Sequence, residues 1–284
     1  MYNTVKTGLL LVLLAAILMA VGGVVGGQRG LTIALMLALV MNVASYWFSD
    51  RIVLRMSGAQ ELNEAEAPQL FGLIRRLAQR AQLPMPRVYH MASPPPNAFA
   101  TGRNPEHAAV AVTDGLLRGL DQPEVEGVLA HELAHIKNRD TLTMTVTATI
   151  ASAIMYSAQM AQWALWFGGG SRDEEGERGG VLGLLVAIIV APLAATLVQM
   201  AISRSREYAA DASGAQIAGS PYGLANALEK LAYAAQRLPA EVTPATAHLF
   251  IVNPLSGKQF ATLFSTHPPI EERVQRLRQM GRGF

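Results

Sequence analysis

The chain has 284 residues, a formal net charge of +2 and no cysteine. Hydrophobic residues make up 51% and charged residues only 15%, far fewer charges than soluble domains carry. This excludes disulfides and thiolate–metal sites, gives no reason to expect nucleic acid as a partner, and leaves the shortage of charge to be located along the chain.

The shortage lies in four stretches free of Asp, Glu, Lys and Arg: 7–28, 30–49, 141–171 and 179–203. Each is long enough to cross a hydrocarbon core of about 30 Å as a helix, which satisfies its own backbone hydrogen bonds in lipid. The third is the most polar, "TLTMTVTATIASAIMYSAQMAQWALWF", but Thr, Ser and Gln can bond back to the helix or across to a neighbour. A cleaved signal peptide is a poor reading of the first stretch, because a second apolar stretch follows almost at once without a small-residue cleavage site. Arginines are frequent in 50–140 and follow 203 at Arg204 and Arg206, whereas the 172–178 connection is slightly acidic. The positive-inside rule then puts both termini and 50–140 in the cytoplasm.

Between the spans, 63–82 predicts an amphipathic helix with Leu70, Leu73, Ile74, Leu77 and Ala81 on one stripe. "PRVYHM" and "AAVAVT" predict short strands, with a third around Phe99 between them. "NAFATG" reads as an exposed edge strand, so Asn97, Ala98, Phe99 and Ala100 are candidates to bind an extended peptide through main-chain hydrogen bonds. The spacing predicts a helix over 124–140 running straight into the third span. Ser220 and Pro221 open another helix to about 237, and a last one starts near Pro269 with Val274 and Leu277 inward. The predicted organisation is two N-terminal spans (7–49), a cytosolic domain made of 50–140 and 204–284, and an inserted transmembrane hairpin (141–203).

The chemistry concentrates in "HELAH" at 131–135. Helical residues four apart stack on one face, about 6 Å between Cβ atoms, so His131 and His135 can offer imidazole nitrogens to one tetrahedral ion. Glu132 borders that face as the general base. A catalytic zinc needs a third ligand, and "SRSREYAADASGA" (203–215) offers Glu207 and Asp211, four apart on one predicted helix. Spacing does not decide which carboxylate binds and which orients a ligand histidine. In "STHPP", His267 is a candidate to donate to a developing oxyanion or to latch the metal. His90, His107 and His248 read as structural or surface residues, and the apolar "HLFIVNPLSGKQFATLF" as core packing.

Taken together, HELAH, SRSREYAAD after a membrane hairpin, NAFATG upstream and STHPP downstream resemble the HtpX family of membrane zinc metalloproteases, relatives of the prenyl-protein proteases. The resemblance runs along essentially the whole chain. It implies a mainly α membrane protein with four transmembrane helices and a cytosolic α+β, gluzincin-like protease domain. It implies one zinc per chain on His131, His135 and Glu207, with Glu132 as base and Asp211 behind the ligands. It also implies proteolysis of damaged or misassembled membrane proteins on the cytoplasmic side of a bacterial-type inner membrane. A prenyl-protein-processing enzyme and a catalytically silent zinc scaffold are the alternatives. If both ligand-bearing helices continue straight into the bilayer, the metal lies within roughly 10 Å of its surface.

Overall fold

The computed structural model describes residues 2–144, 146, 204–237, 250–252 and 268–282, with only part of the side chains before Asp50. Helix α1 (Tyr2–Met56) takes in both N-terminal apolar stretches. They were expected as two separate helices, and the structure joins them in one element, in which Gly27, near the end of the first stretch, has a left-handed φ of 56°. Only glycine adopts that region without steric cost. Among the described residues no helix is long and apolar enough to cross a membrane. The third and fourth expected spans fall almost wholly outside the described residues, apart from a helical start at 141–144.

After β1 (Gln60–Glu61) comes α2 (Pro68–Ala81). It starts at Pro68 and not at the expected 63, because proline takes the first helical position, where a missing N–H costs nothing. Its buried stripe is the expected Leu70, Leu73, Ile74, Leu77 and Ala81, with Ala78 added. Strands β2 (Arg87–Met91), β3 (Ala98–Thr101) and β4 (Ala109–Thr113) complete a four-stranded sheet in the order β1-β2-β4-β3. β2 and β4 are parallel, and the two outer pairings are antiparallel.

The sheet separates two apolar layers by simple alternation. Val88, Ala98, Ala100, Val110 and Val112 face the main core, while Tyr89, Met91, Phe99, Ala109 and Ala111 face Val53 and Leu54 from the end of α1. A short helix α3 (Asp114–Gly119) leads to α4 (Gln122–Lys137), which carries HELAH. A capping box starts α4: the Asp121 side chain accepts from the Glu124 N–H, and Glu124 reaches back to the Asp121 N–H. The buried Glu124 also receives Lys230 at 2.7 Å, which fixes α4 to the helix that carries that lysine.

Helices α5 (Arg204–Ala218), α6 (Tyr222–Arg237) and α7 (Ile270–Met280) complete the described part. The Ser220 hydroxyl accepts from the Tyr222 N–H at the start of α6, as the sequence predicts. α5 and α6 approach α4 closely because glycines line the contacts. A Cβ on Gly127 would run into the Leu224 backbone, and one on Gly214 would lie 2.9 Å from the His131 Cα. The second contact puts α5 directly behind the histidine helix.

Two expectations are corrected. β3 is the sheet edge by pairing, but it is not exposed: Ala98, Phe99, Ala100 and Thr101 are all buried, because α4 packs against it. Nor does α4 run straight on to residue 140. It ends at Lys137, Arg139 turns left-handed with φ 58°, and the chain is helical again only from residue 141.

Candidate active site

Helix α4 presents His131 and His135 on one face, and α5 brings Glu207 to meet them. Their ligand atoms lie within 4.8 Å of one another, and all three residues are buried. The two imidazole Nε2 atoms face each other at 3.1 Å. The Glu207 oxygens are 3.8 Å from Nε2 of His131 and 3.7 Å from Nε2 of His135. Two nitrogens bound to one tetrahedral zinc at usual bond lengths sit about 3.3 Å apart. The three donors therefore fit such an ion after shifts of a few tenths of an ångström.

Each histidine has a carboxylate behind it, hydrogen-bonded to His135 and in close ion-pair contact, outside hydrogen-bond geometry, with His131. Nδ1 of His131 is 3.0 Å from Asp211 Oδ1, and Nδ1 of His135 is 3.1 Å from Asp140 Oδ2. With Nδ1 engaged, Nε2 is the nitrogen each ring turns to the shared space. Glu132 is buried beside them, and its Oε2 accepts the Ala100 N–H at 2.7 Å. In the β3–β4 register Asn97 and Phe99 turn their backbone groups toward β4, so those of Ala98 and Ala100 point away from it, toward α4. The edge strand thus touches the carboxylate next to the metal-ligand candidates.

An M48 peptidase profile ("Peptidase family M48") matches residues 64–281. A "Protease HtpX homolog" of Syntrophobacter fumaroxidans is 59% identical over 277 residues, covering 97% of this chain and 98% of its own. The chain is an HtpX-type metallopeptidase of the M48 family. Homologs from Thermodesulfovibrio yellowstonii (57% identity, 99% of this chain and 100% of its own) and Pyrococcus furiosus (53%, 97% and 95%) agree. The crystal structure of S. mikatae Ste24p shares the fold with a TM-score of 0.53 at 18% identity. That likeness covers 95% of this chain but spans only 62% of the longer Ste24p chain.

In this M48 metallopeptidase two charged residues beside the site were missed by sequence reasoning, Asp140 and Arg273. Arg273, on α7, is completely buried. Its Nε and Nη2 donate to the two Asp211 oxygens at 2.9 and 2.7 Å, its Nη1 lies 3.5 Å from Glu207 Oε2, and its Nη2 lies 3.4 Å from Nε2 of His131. Four residues separate Arg273 from Leu277, so a charge on the apolar stripe of the last helix was the available signal. For Asp140, the signal was an acidic residue at the threshold of an uncharged stretch.

The electrostatics follow from burial and these partners. Burial alone pushes the His135 imidazole down, but Asp140, then Glu207 and Glu132, outweigh it and raise it to about 10 without metal. Burial raises Asp211, yet Arg273 and the neighbouring His131 bring it down to about 2. Burial lifts Glu132 above the ordinary carboxylate range, against the opposing pull of His131, His135 and the Ala100 N–H.

The remaining predicted positions divide. Ala98, Phe99 and Ala100 form β3. Asn97 is buried and structural in its contacts: its N–H donates to Thr113 Oγ1, and its side-chain oxygen accepts from Ile251. Ile251 belongs to the main core, as the apolar reading of its segment predicts. His90 pairs with Asp114 at 2.6 Å and His107 with Asn104 at 2.7 Å. His267 and His248 lie outside the described residues.

Proposed function

We propose that the protein is an integral-membrane zinc endopeptidase that cleaves damaged or misassembled membrane proteins at the cytoplasmic face. The observation that carries this reading is the convergence of His131, His135 and Glu207 with Glu132 at their side. Zinc, when bound by those three residues, supplies a Lewis acid for a scissile carbonyl.

The chain's own groups do the rest. Glu132, anchored through Oε2 to the Ala100 N–H, keeps its other oxygen to accept a proton from the attacking water. The same carboxylate returns that proton to the leaving nitrogen. Burial raises its affinity for a proton above that of an exposed carboxylate, in the direction a general base requires. Asp211 and Asp140 hold the imidazole rings, and Arg273 holds Asp211.

Membrane location rests on the four uncharged stretches and on the described part of α1. There ten large apolar side chains between Ile33 and Phe48 are at least 39% exposed, as a lipid-facing helix requires. Arginine-rich 50–140 supports the cytoplasmic side.

The test is hydrolysis of an unfolded protein such as casein by the detergent-solubilised full chain. Activity should be abolished by a chelator, restored by zinc, and absent in Glu132→Gln. Chelator-resistant cleavage would overturn the reading.

A further inference from the structure

The turn between α4 and the helix that opens at residue 141 is built around Asp140. Asn138 donates its N–H to the Ala134 carbonyl and Arg139 donates to Ile136. The Asp140 N–H then returns to the carbonyl of His135, at 3.2 Å. This closure needs a left-handed residue, a position usually given to glycine, and here Arg139 takes it at φ 58°. The Asp140 carbonyl next accepts the Met144 N–H, so Asp140 is also the residue that opens the following helix.

An aspartate in that place ordinarily turns forward to cap the new helix. Asp140 turns back. It is 1% exposed, its Oδ2 meets Nδ1 of His135, and its Oδ1 has no hydrogen-bond partner among the described residues. Backbone and side chain of one residue thus both grip His135, while the next residue, Thr141, donates its hydroxyl to the Gly102 carbonyl just past β3.

We propose that Asp140 is the positioning residue of His135, aiming its Nε2 into the ligand triangle, and that the left-handed corner at Arg139 keeps it there. The corner thereby ties the metal site to the chain segment leaving the catalytic domain. The inference rests on the reading of His135 as a metal ligand.

The experiment uses the full chain in detergent, with zinc affinity measured against a chromophoric chelator and cobalt(II) absorption as a report on ligand geometry. Asp140→Ala should weaken zinc about 10- to 100-fold and shift the cobalt bands. Asp140→Asn, which keeps an acceptor for Nδ1–H, should retain wild-type bands and most of the affinity. Arg139→Pro, which cannot adopt a positive φ, should copy the Asp140→Ala spectrum with the carboxylate still present, whereas Arg139→Gly should match the wild type. Should Asp140→Ala not fold, Asp140→Glu replaces it: shifted bands support the role and unchanged bands overturn it. Wild-type affinity and spectrum in Asp140→Ala, or equal losses in the folded Ala and Asn variants, overturn the role of Asp140. Wild-type bands in Arg139→Pro overturn that of the corner. A wild type that takes up neither metal overturns the ligand assignment, and this role with it.

Discussion

Replacing Arg273 by methionine keeps most of the side-chain length and removes the charge. Arg273 is completely buried and makes two hydrogen bonds of 2.9 and 2.7 Å to Asp211, with Glu207 a further neighbour at 3.5 Å. Removing one partner of a buried pair leaves the other charge uncompensated, at about 3–5 kcal/mol. For a domain of this size each kcal/mol moves the unfolding midpoint by roughly 2–4 °C, so Arg273→Met should lower it by roughly 6–20 °C. The loss should be largest in the chelated protein, because a bound dication would share the task of balancing Glu207 and, through His131, Asp211. Arg273→Lys should fall between, since an ammonium cannot make both bonds in the guanidinium geometry. The measurement is thermal unfolding of the detergent-solubilised chain with chelator and with zinc. A midpoint for Arg273→Met within 2 °C of wild type in chelator would refute the argument that Arg273 balances the buried carboxylates.

Glu132→Gln should keep the metal, hold its place against Ala100, and lose several orders of magnitude in peptide hydrolysis; near-normal turnover would exclude Glu132 as the base. Glu207→Ala should surrender zinc to a mild chelator, while Asp211→Asn should keep it with an affinity lower by about 10- to 100-fold; the opposite order in an indicator titration would exchange the two roles. Metal uptake should release protons. His135 is raised to about 10 in the metal-free chain, so apparent zinc affinity should rise about tenfold per pH unit between neutrality and pH 10; a flat profile would contradict this. The same upward shift means that His135 stabilises the metal-free fold fully below its ordinary value and ceases to do so as pH rises through about 10, which unfolding in chelator across that range would show.

The residues that read clearly in the sequence are those whose meaning is local. His131, Glu132 and His135 need only a helix to share a face, and Glu207 and Asp211 need only another. α2 and α7 announce themselves by apolar stripes, and α6 and α7 by Ser220 and Pro269. What stayed hidden is what depends on distant parts meeting. Arg273 looks like one of several solvated charges in "EERVQRLR" until α7 packs it against Asp211, 62 positions earlier. Asp140 looks like the end of a helix until a left-handed Arg139 folds it back. The edge strand was legible as a strand, but its burial was not, since alternation along "NAFATG" says nothing of the helix that covers it. The pairing of β2 with β4 in parallel likewise comes from the crossover and not from either strand alone.

The sheet has two faces, and the second is closed by the N-terminal helix. Val53 and Leu54 cover Tyr89, Met91, Phe99, Ala109 and Ala111. Arg87 reaches Asp50 at 2.8 Å, and Arg103, just past β3, lies 4.7 Å above the Trp47 ring. The end of this helix is therefore part of the domain's own wall. In detergent that covers 141–203, a catalytic fragment trimmed to begin at β1 would carry a bare apolar wall and should self-associate in light scattering, whereas one that begins ahead of Trp47 should show no such association. Phe99 belongs to that wall and precedes Ala100, whose N–H holds Glu132. Loosening the N-terminal helix should therefore blunt peptide cleavage from a distance, even with every residue of the ligand triangle intact.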